Sequence, residues 1–452
     1  MLQVPTHLTF STSNSKLDSK PKVEALFDQP KEYNEAPWWA KLAVDLIVCN
    51  DVDSIVKNEK DDTNIDMRPW LDSLPQSFDT PIRWTMEQRN ALQYTPLVGM
   101  IAIQESLTRK TYERLLEALS ANVKDIFTYE KFLWGCDCAR SRAFSGSYGG
   151  SAFDPKPYAF TLLLVGVYIG LGMGTIEQAS NGAGLVLCGS ILKDFVFPKL
   201  FKSKKYIICP MVDMANHVGM EEDANVAFEY FSDGYSLNTK VDVTKETAKQ
   251  EVFISYGPRS NDALLQQYGF VEVDNAHDVY VMPPLREWDI AALEEACGRK
   301  FQPGRLQKLE RAGLLGGNSL KEEEDPDSFE EGVANRGRGV VVTRAGGIDP
   351  AIITALRVLV SSEEEWMAVG EAVGNLVTVN SGGKENERLA LVAAQKALEL
   401  ELLAKPTTLE EDQESWKNRN SLGLGMEDIL ALQFRIEKKK LLKEAMFALS
   451  LL

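Results

Sequence analysis

From Pro157 to Ile176 the chain runs twenty residues without a charge, PYAFTLLLVGVYIGLGMGTI, and a second uncharged stretch continues from Gln178 to Leu192. Twenty such residues are long enough to span a bilayer as a helix. The alternative is a buried helix, or a Gly-rich helical hairpin against the surface. A single crossing would put everything before the segment and everything after it on opposite sides of a membrane. If residues from both sides build one site, the segment must cross twice, lie in the interface, or fold inside the protein. Membrane contact through 157–192 is therefore carried forward as one expectation among these.

The remainder of the 452 residues has the composition of a globular protein, 44% apolar and 25% charged, with room for two or three domains. Lys+Arg is 49 against Asp+Glu 66, a formal charge of -17. That balance argues against generic nucleic-acid binding. The acidic runs Glu322–Asp325 and Glu363–Glu365 read as solvated faces. The six cysteines are scattered, which suggests a reducing compartment and no disulfide framework. Cys136 and Cys138 form the one close pair and lack a second pair or a nearby histidine, so no metal site is expected. The opening MLQVPTHLTF has neither a basic stretch nor a long apolar core, so no secretory signal is visible.

Periodicity divides the chain. LQVPTHLTF reads as a short strand and turn, and 36–50 as an amphipathic helix. Residues 68–84 read as an ordered loop pinned by Trp70 and Trp84, and 86–142 as mostly helical. Residues 205–275 alternate like strands in YIICPMVD, ANVAFEYF and EVFISYG. Beyond 285, apolar residues recur at three- and four-residue spacing, and Asp349-Pro350 marks a helix start. The Gly-, Ser- and acid-rich 312–338 reads as a loop. Together these give an α+β domain with a helical insertion, followed by an all-helical domain.

Two motifs carry the chemistry: MVDMANH at 211–217 and EVFISYGPRSNDALLQQYGF at 251–270. Taken singly, Asn-His is a turn or capping pair and Tyr-Gly is packing plus a turn. In this order they resemble the C-terminal half of a SET domain, in the subgroup typified by the Rubisco large-subunit lysine methyltransferase, which includes actin-histidine methyltransferases. SRAF at 141–144 resembles the Ser-Arg element that precedes the Asn-His motif. DMRPWLDSLPQSFDTPIRWTMEQRNALQYTPL resembles the subgroup's helical insertion. NERLAL, TTLEED and RIEKKKLL resemble its helical substrate-binding domain, so the resemblance covers nearly the whole chain.

The resemblance implies a SET domain over 1–275, with a helical insertion at about 33–140 and an apolar insertion at 157–199, then a helical Rubisco LSMT-type domain over 285–452 that docks a protein substrate. It implies S-adenosylmethionine as cofactor and methyl transfer to a lysine of a non-histone protein. Transfer to a protein histidine is the alternative, and a non-catalytic scaffold is another. Tyr256 matches the catalytic tyrosine. Arg142, Asp213, Met214, Ala215, Asn216, His217, Tyr268, Gly269 and Phe270 match cofactor-binding positions, and Tyr230 a substrate-channel position. The family begins with a glycine-containing cofactor-binding strand before its Val-Pro strand. This chain starts at LQVP, so the expectation is that such a segment precedes Met1. Family members are plastid, cytosolic or nuclear, which leaves the compartment open.

Overall fold

The computed structural model describes residues 2–5, 8–12, 23–52, 55–58, 63–146, 205–231, 234–240, 251–302, 304–311, 313–315, 339–369 and 383–452. The apolar stretch 157–192, and the loop 312–338 apart from residues 313–315, lie outside them. Among the described residues, no helix is long and apolar enough to cross a membrane. The fold is α+β, and the chain divides into two units. The first comprises Met1–Pro75, Arg114–Asn216 and Ala224–Ile254. The second comprises Gln76–Glu113, His217–Asp223 and Ser255–Leu452.

In the first unit, Leu2–Pro5 pairs antiparallel with Gly234–Thr239, which pairs in turn with Val226–Phe231. Alternation turns Val4 inward, where it packs with Ile207, Cys209, Val212 and Tyr235. A second sheet orders Phe10–Ser11, Lys205–Ile208 and Ala143–Gly146, with Phe10 and Ala143 both opposite Ile208. Beside these lie the helices Trp38–Asp51 and Tyr129–Arg142. They approach closely at Gly135: a Cβ there would stand 2.9 Å from the Ala43 carbonyl oxygen. Trp39, Leu42 and Leu46 are fully buried, and the Arg140 guanidinium lies 4.3 Å from the Trp39 ring centroid. Each such aliphatic side chain contributes about 1.5–3 kcal/mol of hydrophobic stabilisation.

The second unit has a long, mostly helical core. Pro350–Val360 starts on an Asp349 cap that accepts from the Ala351 amide, with proline at the first helical position. It buries Ile352, Ala355, Leu356 and Leu359. Gly383–Leu403, Leu409–Lys417 and Met426–Ser450 follow it as further helices, the middle one entered by a Thr408/Glu411 capping box. The region beyond 285 also holds short strands. Val340–Thr343 pairs with Val279–Met282 and with Gly347–Ile348 in one antiparallel sheet. Its VVVT run is apolar and four residues long, too short for period alone to distinguish strand from helix.

Candidate functional site

The resembling residues fall into two sets, one in each unit, joined through the Asn216–His217 peptide bond. In the first unit the helix Tyr129–Arg142 ends on Arg142, whose Nη1 donates to Asp213 Oδ2 at 3.0 Å and to the Asp213 carbonyl at 3.1 Å. Trp70 Nε1 donates to Asp213 Oδ1 at 3.2 Å. Asp213 sits in the short turn Val212–Met214, entered by Met211 at φ 72°, a left-handed conformation a non-glycine residue seldom adopts. Burial pushes the Asp213 carboxyl above the usual carboxylate range, while the Arg142 charge and the Trp70 hydrogen bond pull it back. Cys209, whose carbonyl accepts from the Asp213 amide, is fully buried, and burial pushes its thiol far up.

Asn216 is held at both ends. Its amide donates to the Val252 carbonyl at 3.1 Å, and its side-chain amide donates to the Glu251 carboxylate. Met214 is exposed and Ala215 buried. Tyr230 belongs to the strand Val226–Phe231 of this unit, opposite Tyr235 in the register.

In the second unit four aromatic rings form a continuous set. His217 stacks on Tyr256 and Tyr256 on Tyr268, each at 4.9 Å and 26°. Phe270 meets His217 at 6.0 Å and Tyr268 edge-on at 6.2 Å. The Tyr256 amide donates to His217 Nδ1 at 3.1 Å. That bond makes Nδ1 the acceptor of the neutral ring and leaves the proton on Nε2, which faces Glu272 Oε2 at 3.8 Å. Gly219 makes room for this carboxylate, since a Cβ there would fall 2.0 Å from Glu272 Oε1. Burial raises the Tyr268 phenol above its ordinary value, opposed by Arg259, so the hydroxyl is neutral at physiological pH.

The sequence presents 255–270 as strand-like, yet Asn261–Ala263 is helical and Leu264–Tyr268 continues it as a π-turn. Ser260 caps it through the Ala263 amide. Gly269, at φ 74°, ends it in the left-handed region and turns Phe270 back towards His217. π-turns of this kind recur at functional sites.

The Rubisco LSMT substrate-binding family matches residues 299–442. Solved structures of Rubisco LSMT bound to sinefungin and monomethyllysine, and bound to AdoMet, superpose with TM-scores of 0.54 and 0.52. Both are 18% identical, and the match covers 100% of this chain and 81% of each of theirs. This chain has the fold of the Rubisco LSMT structures, an α+β SET fold, and its residues 299–442 match the LSMT substrate-binding family. Among curated proteins, the Arabidopsis thaliana chloroplastic [fructose-bisphosphate aldolase]-lysine N-methyltransferase is 22% identical over 418 residues, 90% of this chain and 67% of that one. Mouse SET domain-containing protein 4 is 39% identical over 70 residues, 15% of its length.

Within this LSMT fold, three residues not assigned a site role touch candidate site residues: Trp70 on Asp213, Glu251 on Asn216, and Glu272 beside His217. Trp70 lies in the loop read as pinned and Glu251 opens the second motif, but none of the three carries a local signal of a site role. Each is set by a chain crossing that the sequence does not display.

Proposed function

We propose that the chain is an S-adenosylmethionine-dependent protein-lysine N-methyltransferase acting on a non-histone protein, with Tyr256 as the catalytic residue. The observation that carries this reading is the ring set His217–Tyr256–Tyr268–Phe270 on a Rubisco LSMT fold. The residues suit the cofactor in two ways. Electron-rich ring faces attract a sulfonium cation. Among the described residues, the Arg142 Nε–H is buried without a hydrogen-bond partner, and a carboxylate such as that of the cofactor's amino-acid end would satisfy it. Asp213 to Asn216 are the cofactor-binding positions of the first unit in this reading, and His217, Tyr268, Gly269 and Phe270 those of the second.

When bound, S-adenosylmethionine supplies a methyl carbon whose bond to sulfur breaks with the electron pair moving to sulfur. The protein's task is to present a neutral amine in line with that carbon. A lysine in water has a pKa of about 10.4, and an aromatic, desolvated channel lowers it. The Tyr256 and Tyr268 hydroxyls orient the amine without adding a formal charge. The backbone bond from Tyr256 to His217 fixes where the Tyr256 ring stands. Alignment of this kind supplies much of the rate. The helical region 285–452 docks the folded substrate, and Tyr230 is a substrate-binding position by its resemblance to the family.

Incubation with trideuteromethyl S-adenosylmethionine and a cell extract, read by mass spectrometry, tests the reading. Label on lysine of a non-histone protein is expected, with Tyr256→Phe lowering turnover on the order of 10²-fold while the fold persists. Label on histidine would replace the target, label on histones would remove the non-histone assignment, and no label at all would favour a scaffold.

A further inference from the structure

The helix Met426–Ser450 carries four consecutive charges, Glu437-Lys438-Lys439-Lys440, and a run of that kind ordinarily faces water. Here Glu437, Lys438 and Lys439 are 1%, 2% and 3% exposed. Consecutive helical residues point about 100° apart, so each reaches a different wall. Lys438 Nζ places all three of its donors: Asp262 Oδ2 at 2.8 Å, Asp278 Oδ1 at 2.8 Å and the Val279 carbonyl at 2.6 Å. Asp278 also accepts from the Asn261 amide at 2.9 Å and from the Asn261 side chain at 3.2 Å.

Asp262 lies in the first turn of the segment that ends at Tyr268, and Asp278 follows Phe270 by eight residues. The ammonium group therefore ties the beginning of the Tyr268–Phe270 loop to its end. The same helix holds the loop twice more. Gln433 donates to the Val271 carbonyl at 3.1 Å, and the Asp274 amide donates to Glu437 at 2.9 Å.

A buried ion pair is seldom the most stabilising filling for its volume, because desolvation opposes the attraction. What it does supply is direction, since an ammonium with three fixed acceptors has one place to sit. We infer that Lys438 is a positioning residue, through which the LSMT substrate-binding helix sets the place of Tyr268 and Phe270 in the methyl-transfer site. The inference rests on the methyltransferase reading for its functional consequence, but not for its structural one.

The adjacent Lys439 provides an internal control. It is equally buried and equally paired, to Asp412 Oδ2 at 2.5 Å, Thr407 Oγ1 at 2.8 Å and Gln93 Oε1 at 3.0 Å, and it touches none of the loop 256–278. The test compares Lys438→Met, Lys439→Met and Asp262→Asn in the whole chain. Two readouts are taken: amide hydrogen exchange of peptides spanning 256–272 in the free protein, and S-adenosylmethionine affinity by calorimetry.

Lys438→Met raises exchange across 256–272 and weakens the cofactor about tenfold, while Lys439→Met leaves both within about twofold at a similar loss of melting temperature. Asp262→Asn shifts both readouts in the direction of Lys438→Met but less, and decides the matter if Lys438→Met fails to fold. Equal effects of the two lysine variants, or unchanged exchange in Lys438→Met, would overturn the inference. Should the wild-type chain bind no S-adenosylmethionine, the methyltransferase reading fails and the exchange data alone decide the positioning role.

Discussion

Asn261→Ala is the substitution whose cost the structure states most directly. Asn261 is fully buried and closes the loop that carries Tyr268 and Phe270. Its side-chain amide donates to the Glu272 carbonyl at 3.0 Å and to Asp278 Oδ2 at 3.2 Å, and its oxygen accepts from the Glu272 amide at 2.9 Å. A weaker bond from Asn275 arrives at 3.4 Å. Alanine removes all four and leaves the Glu272 peptide groups without these partners. Neutral bonds contribute about 1 kcal/mol each and a bond to a carboxylate about 1.5–3 kcal/mol, so the expected loss is about 3–5 kcal/mol. That is a large share of a typical domain's stability of about 5–15 kcal/mol. Urea unfolding followed by tryptophan fluorescence measures it, with the slope checked against wild type so that a change in cooperativity is not read as stability. S-adenosylmethionine affinity should fall in parallel, because the loop's aromatic pair loses its frame. A loss under about 1 kcal/mol would refute the reasoning, since it would mean that water or a shifted neighbour replaces the amide at little cost.

Cys209 should resist alkylation in the native protein at pH 8 and react readily in denaturant, as peptide mapping would reveal, because burial and the nearby Asp213 charge both disfavour its thiolate. Fast native labelling would contradict its placement. Arg142→Met should cost about 3 kcal/mol in thermal or urea unfolding, because it leaves the buried Asp213 carboxylate without its cation. Asp213→Asn should show a pH signature. The Asp213 pKa is raised in the fold, so the folded state holds the proton more tightly than the unfolded one. Wild-type stability therefore falls as pH rises from the ordinary carboxylate value of about 3.9 through the raised one. The asparagine variant lacks that decline, so its deficit against wild type should shrink between acid and neutral pH in paired urea titrations. A deficit that grows with pH would reverse the assigned sign.

Helix starts and ends were legible where the physics is local. Asp349-Pro350 acts within one turn, and it stands in the structure as a capped helix start. The first strand was legible for the same reason. The stretch 255–270 was not, because its Tyr, Phe and Leu residues suit either a strand or a helix, and the Ser260 cap and the left-handed Gly269 decide between them. The buried Glu437–Lys439 run was the least legible of all. A charge run defaults to solvent, and the acids that make burial tolerable for Lys438 lie 160 and 176 residues away in the chain. Family resemblance supplied the candidate site residues from short motifs. It pointed to Asn216, His217, Tyr256 and the Tyr268–Phe270 pair, but not to Glu251, Glu272 or Trp70, which hold them.

Isothermal calorimetry of S-adenosylmethionine against the 452-residue chain tests the central claim most directly. The expected result is one saturable site per chain, competed by S-adenosylhomocysteine and weakened by Arg142→Met. Absence of binding heat at millimolar cofactor, confirmed by an unchanged melting temperature, would contradict it.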